Sequence, residues 1–118
     1  MRIMSAHRSP AAVAEFASTA RDEGFAAIIC GAGMAAHLAG AVAAQTTLPV
    51  IGVPLSGGAI NGWDSLLATV QMPRGIPVAT VAVDGAMNAA LLAVQMLAID
   101  NPDLVTALEA HRREMTPR

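Results

Sequence analysis

Phe25-Ala26-Ala27-Ile28-Ile29-Cys30-Gly31-Ala32-Gly33 is an unbroken apolar run that stops at a Gly-Ala-Gly turn. A strand with one face in water alternates polar and apolar residues; a run with no polar member is what a strand covered on both faces requires. Working outward, Ser9-Pro10 opens a helix, with Ser9 at its N-cap and Pro10 at its first position. That helix runs over Ala11 to Glu23, with Val13, Phe16, Ala17 and Ala20 on one face, and Gly24 stops it. On the other side, an Ala-rich helix from about Met34 to Gln45 leads to a second buried strand, Val50 to Pro54.

The same alternation continues. Arg2 to Ala6 reads as a short strand, and Leu55 to Gly62 as a Gly/Ser-rich loop. Trp63 to Met72 reads as a helix with Asp64 or Ser65 capping it, and Ile76 to Val83 as a strand. A long helix follows from Asp84 or Gly85 to about Ile99, and Asn101-Pro102 caps a last helix through Arg113. Strands alternating with helices, each strand apolar throughout, predict an α/β fold. The expected form is a parallel sheet with helices on both faces, in one domain spanning residues 1–118.

Composition removes several classes of chemistry. The 118 residues are 54% hydrophobic and only 14% charged, with a net charge of −2, so no basic stripe exists for nucleic acid and some apolar surface is expected to be covered by other copies of the chain. Every basic residue is Arg, which excludes Schiff-base lysines and a Walker lysine. Cys30 is the sole cysteine, and at the end of a buried strand it reads as a small apolar residue. Two histidines without a third well-spaced ligand do not make a metal site. The N-terminus lacks the apolar core of a signal peptide, and no run is long enough to span a membrane, so the expected location is the cytoplasm.

In parallel sheets, ligands sit beyond the carboxyl ends of the strands. The residues there are Ser5-Ala6-His7-Arg8, Gly31 to His37, Leu55 to Gly62 and Asp84 to Asn88. His7 is placed to exchange a proton near neutrality, and Arg8 offers a donor fork to phosphate or carboxylate. An exposed loop histidine and a solvated arginine are the equally weighted bland alternative. Gly31-Ala32-Gly33 can bring backbone N–H groups close to an anion, but Ala36 breaks the dinucleotide spacing, so a plain tight turn is favoured. His37 lies one turn further on, where a histidine alone is more often structural. His111, among Arg112, Arg113 and Glu114, receives no role, and Asn88 is expected to pin a loop.

Taken in order, Ser5-Ala6-His7-Arg8-Ser9-Pro10, Gly31-Ala32-Gly33-Met34-Ala35-Ala36-His37-Leu38-Ala39-Gly40 and Gln71-Met72-Pro73-Arg74-Gly75-Ile76-Pro77-Val78 resemble the PurE family, N5-carboxyaminoimidazole ribonucleotide mutase of purine biosynthesis. Asp64-Ser65-Leu66 and Asn88-Ala89-Ala90-Leu91-Leu92 match in the same order, and the resemblance covers about residues 3–99. Ala-Ala-His-Leu is similar to the bacterial mutase class rather than the class that uses free carbon dioxide. The resemblance implies a flavodoxin-like three-layer sandwich and an isomerase that moves the carboxyl group from nitrogen to carbon 4 of the imidazole, through trapped carbon dioxide and without metal, ATP or organic cofactor. It implies His7 as the proton shuttle. It implies Ser5 and Arg8 at the ribotide's phosphate or ribose, and Gly31, Ala32, Gly33 and His37, with Ala6 and Leu38, around the imidazole and carbon dioxide. It also implies homo-octamers with sites between subunits.

Several departures accompany the likeness. The chain starts at what would be the family's second strand, without its first βα unit and Gly-Ser-x-Ser-Asp loop. Met34 stands where the family has Gly, Ala39 where it has Pro, and Asp84-Gly85-Ala86-Met87 is shorter than the usual loop and lacks its lysine. The alternative to a mutase is therefore a weak or inactive scaffold of the same family that binds a ligand or partner as a homo-oligomer.

Overall fold

The computed structural model describes residues 1–116. Its elements run α1 (Pro10–Thr19), β1 (Ile28–Gly33), α2 (Leu38–Ala43), β2 (Val50–Leu55), α3 (Trp63–Val70), β3 (Ala79–Thr80), α4 (Ala86–Ala98) and α5 (Pro102–Met115). The strands form one parallel sheet in the order β1-β2-β3, a flavodoxin-like α/β arrangement. β1 and β2 pair along their whole length, from Ile28 opposite Val50 to Gly33 opposite Leu55.

Side-chain alternation along the strands sorts the core into two layers. Ile28, Cys30 and Val50 face α1 and α2, meeting Val13, Ala17, Ala39 and Val42. Ile51 and Val53 face the opposite way, onto Ala89 of α4 with Leu92 and Met96 beside it. α3 lies on the same side as α2: a Cβ on Gly52 would overlap the Thr69 methyl and crowd Ala39. A hydroxyl ties α3 to β2: Ser65 Oγ donates to the carbonyl of Leu55 (2.8 Å), while the buried Thr69 hydroxyl is satisfied within the helix by the carbonyl of Ser65 (2.7 Å). α5 packs outside α4 and buries none of its residues fully.

Several expectations need correction. Arg2 to Ala6 is not a strand: it pairs with nothing in the described sheet and ends in a turn over residues 6–8. The Met4 side chain packs against the α1–α2 core, and the backbone of Ser5 bonds to Ser9 instead of to a neighbouring strand. The first strand is Ile28–Gly33 rather than 25–30, because its ladder with β2 continues through the glycine turn. The third strand shrinks to Ala79–Thr80, flanked by Pro77 and by a chain that leaves the sheet after Val81 donates to Gly52 (3.2 Å). α2 begins at Leu38 instead of Met34, since residues 34–36 are taken up in a turn. Gly62, not Asp64 or Ser65, occupies the N-cap position of α3, with a left-handed φ of 96°. Asn101 does cap α5, its side chain accepting from the N–H groups of Asp103 (3.1 Å) and Leu104 (3.4 Å).

Candidate active site

The local sequence around His7 is braced by its two neighbouring serines. Ser9 stands at the N-cap of α1, yet its hydroxyl does not cap the helix. Instead Ser9 Oγ donates to the carbonyl of Ser5 (3.0 Å) and accepts from the Ser5 N–H (3.1 Å), while the Ser9 N–H also reaches that carbonyl (2.8 Å). Ser5 Oγ in turn accepts from the Arg8 backbone N–H (3.2 Å) and from Arg8 Nε (3.4 Å). His7 is thereby held at the apex of a closed turn, and one Arg8 nitrogen is committed within it.

The second histidine arrives from β1. Gly33 ends the strand, Met34 turns the backbone through a left-handed φ of 53°, and the Ala36 N–H donates to the Met34 carbonyl (2.8 Å). That turn delivers His37 to the N-cap position of α2. The two imidazoles stack with centroids 5.1 Å apart and planes 8° from parallel. Both rings are exposed, and among the described residues neither side chain has a hydrogen-bond partner.

Around them lies a cavity of about 620 Å³, open to solvent. Its wall takes in the residues that the resemblance assigns to the site: His7, with Ser5, Ala6 and Arg8 on one side, and Gly31, Ala32, Gly33, His37 and Leu38 on the other. Met4, Met34, Ala35, Ala36 and Leu55 complete it. Leu55, which its sequence context places in a loop, enters because the β1–β2 register sets it opposite Gly33. Chemically the cavity offers two imidazoles that can carry protons, a guanidinium, and glycine backbone that an anion can approach closely.

Other singled-out residues lie elsewhere. Cys30 is buried within β1, and burial pushes its thiol up to about 11, so it is a protonated packing group rather than a nucleophile at neutral pH. Asn88 and His111 line a separate crevice between α4 and α5. Asp84 sits at the far end of the same sheet edge, where the Ser56 hydroxyl and, at 2.9 Å, the Ser56 N–H hold its carboxyl below its ordinary range. Among the described residues no three His, Cys, Asp or Glu side chains converge as a metal cage would require. Nor is any helix there long and apolar enough to cross a membrane.

The family model for AIR carboxylase matches residues 1–118, the whole chain. The chain belongs to the AIR carboxylase family. It is 55% identical over 115 residues to the N5-carboxyaminoimidazole ribonucleotide mutase of Pyrococcus abyssi, covering 98% of this chain and 66% of that protein. The mutase of Bacillus subtilis is 55% identical over 117 residues, covering 98% of this chain and 72% of the relative. The chloroplastic phosphoribosylaminoimidazole carboxylase of Vigna aconitifolia is 52% identical over 114 residues, 97% of this chain but 20% of that longer protein. The chain thus spans about two thirds of the length of the archaeal relatives it matches.

Proposed function

We propose that this chain forms one domain of the AIR carboxylase family and isomerises N5-carboxyaminoimidazole ribonucleotide to the 4-carboxy isomer in the cytoplasm. The observation that carries this reading is the stacked His7–His37 pair, walled by Arg8 and the Gly31–Gly33 turn, in a chain that shares over half its residues with named mutases.

The geometry supports a division of labour. The bond between nitrogen and the carboxyl carbon breaks, its electron pair stays with nitrogen, and carbon dioxide is released into the cavity. Carbon 4 of the imidazole then attacks that carbon dioxide, and the proton on carbon 4 is removed. His7, exposed at the apex of its braced turn, is the group that gives the proton to nitrogen and recovers it from carbon 4, leaving the enzyme unchanged. His37, stacked on it, orients the ring plane of His7 and closes one side of the space for carbon dioxide. Ser5 and Arg8 meet the phosphate or ribose end, and the glycine backbone admits the carboxylate. Nothing in this scheme calls for a metal or organic cofactor.

Trapping carbon dioxide needs a site closed to water, and the cavity of one chain is open. A homo-oligomer, an octamer by resemblance, with sites between subunits answers that need. The uncharged stripe of Trp63, Leu67 and Val70, at helical spacing along α3 and exposed in the single chain, suits such packing. Light scattering at micromolar concentration is expected to give an assembly, and a monomer counts against this part.

Turnover of the purified chain, followed by ultraviolet absorbance with N5-carboxyaminoimidazole ribonucleotide, tests the whole. Turnover that disappears in His7→Asn supports it. The absence of turnover leaves the scaffold reading.

A further inference from the structure

Three residues other than glycine have left-handed backbone among those described: Met34, Asn61 and Asp84. All lie in the connections that follow the three strands. Asn and Asp tolerate that conformation because their short polar side chains bond locally; methionine has no such compensation. The backbone at position 34 is therefore one that glycine would occupy more easily, and the presence of a long side chain there calls for a reason in the side chain itself. Non-glycine strain of this kind concentrates where it serves a site.

The side chain of Met34 reaches the β2–α3 loop. A Cβ built on Gly58 would stand 3.2 Å from Met34 Cγ and 3.6 Å from its Sδ, so Met34 lies directly over a glycine that is itself left-handed, with φ 68°. The loop is tied at both ends, through the Ser56 N–H to Asp84 and through Ser65 to Leu55. Between those ties, the N–H groups of Gly57, Gly58, Ala59 and Ile60 donate to no acceptor among the described residues. Met34 and Leu55 also line the His7–His37 cavity. One side chain thus joins the cavity wall to the middle of a loop whose backbone donors are uncommitted.

We infer that Met34 is a positioning residue that holds the Gly57–Gly58 turn beside the cavity mouth, where its free N–H groups meet the anionic end of the ribotide. This rests on the ribotide reading of the cavity. Such a contact exists in the substrate complex and the transition state alike, so it lowers KM and leaves kcat in place.

The experiment compares the parent with Met34→Gly and Met34→Leu. Glycine removes the side chain while suiting the backbone, so the variant folds; leucine keeps most of the reach. Met34→Gly is expected to raise KM for N5-carboxyaminoimidazole ribonucleotide about fivefold with kcat nearly unchanged, and Met34→Leu to restore most of the loss. Ile60 lies in the same loop, so the rate at which thermolysin cuts before it reports loop order without any turnover. Cleavage before Ile60 is expected to speed up in Met34→Gly and not in Met34→Leu. Equal cleavage in all three proteins overturns the role of Met34, as does a leucine variant that matches glycine in KM. A parent without turnover defeats the proposed function alone, and the cleavage comparison still decides the inference.

Discussion

On one face of the sheet, Val13 and Ala17 of α1, Ala39 and Val42 of α2, and Ile28 and Val50 of the strands join in a single buried cluster. On the other, the buried cluster is just Ile51, Val53 and Ala89, and half-buried Leu92, Ala93 and Met96 fill in around them. α5, on that second side, has no fully buried residue and leaves Val105 and Met115 in solvent. The contrast has a physical sense. A proton-transfer group must be held to a fraction of an ångström, and both histidines are carried by segments that enter or leave the deeper layer. The α4–α5 side also holds a histidine and an arginine, His111 and Arg112, but on a helix seated only on its neighbour.

Exchanging the histidines gives the largest expected effect. His7→Asn is expected to reduce the proposed turnover by roughly 100- to 10,000-fold, the usual contribution of a positioned acid–base group. Because His7 is exposed, the thermal midpoint should barely move. His111→Asn, in the shallower layer, should leave turnover at the parent level. Comparable losses in both would dissolve the functional contrast between the two sides.

Packing gives the next. Gly52 faces Thr69, Val78 and Ala39, and a methyl group there has no room unless α3 moves. Gly52→Ala is expected to cost about 1–3 kcal/mol in denaturant unfolding, as overpacked cores do. Leu108→Ala on half-buried α5 should cost less, about 1 kcal/mol or under. An α5 substitution that destabilises as much as the Gly52 change would mean that α5 is buried in solution, which is the outcome expected of a tight oligomer.

The deeper face was also the more legible one in the sequence. The apolar runs at Ile28 and Val50 announce strands covered on both sides, and the spacing of Val13, Phe16, Ala17 and Ala20 announces the helix against them. The rule that ligands gather at the carboxyl ends of parallel strands picks out Ser5–Arg8 and Gly31–His37 together, and the family resemblance adds Leu38, although the first segment follows no strand in the structure. What stayed hidden depends on long-range partners. Arg2–Ala6 has the composition of a strand, but a strand exists only through a ladder, and the segment has none here. Ser9 carries the signature of a helix cap, yet its hydroxyl closes the His7 turn, a choice set by where Ser5 lies. The Met34–Gly58 contact joins residues whose proximity follows only from β1 and β2 being adjacent.

Cys30 offers a probe of the deep layer that needs no substitution. It is 5% exposed, and desolvation raises its thiol to about 11. At pH 8 the native thiol is therefore both protonated and shielded, and labelling by a thiol reagent should be far slower than in denaturant. Prompt labelling of the native protein would show that the α1–α2 layer opens readily, contrary to its packing.

The smallest expected effect lies at the other end of the sheet edge. Asp84 is fully exposed, and its carboxyl is lowered from an ordinary value of 3.8 by the Ser56 hydroxyl and N–H. A carboxyl depressed in the folded state adds stability above its unfolded value and loses that stability as pH falls through the folded one. The loss should therefore begin near pH 4 and continue below it, with no dependence between pH 6 and 8. Asp84→Asn keeps an oxygen for the Ser56 N–H and tolerates left-handed backbone, but it does not titrate. The parent's advantage over this variant should accordingly shrink as thermal midpoints are taken from pH 6 down to pH 3. Parallel curves would mean that the Ser56–Asp84 link adds nothing in solution, leaving the β2–α3 loop held on that side by Ser65 alone.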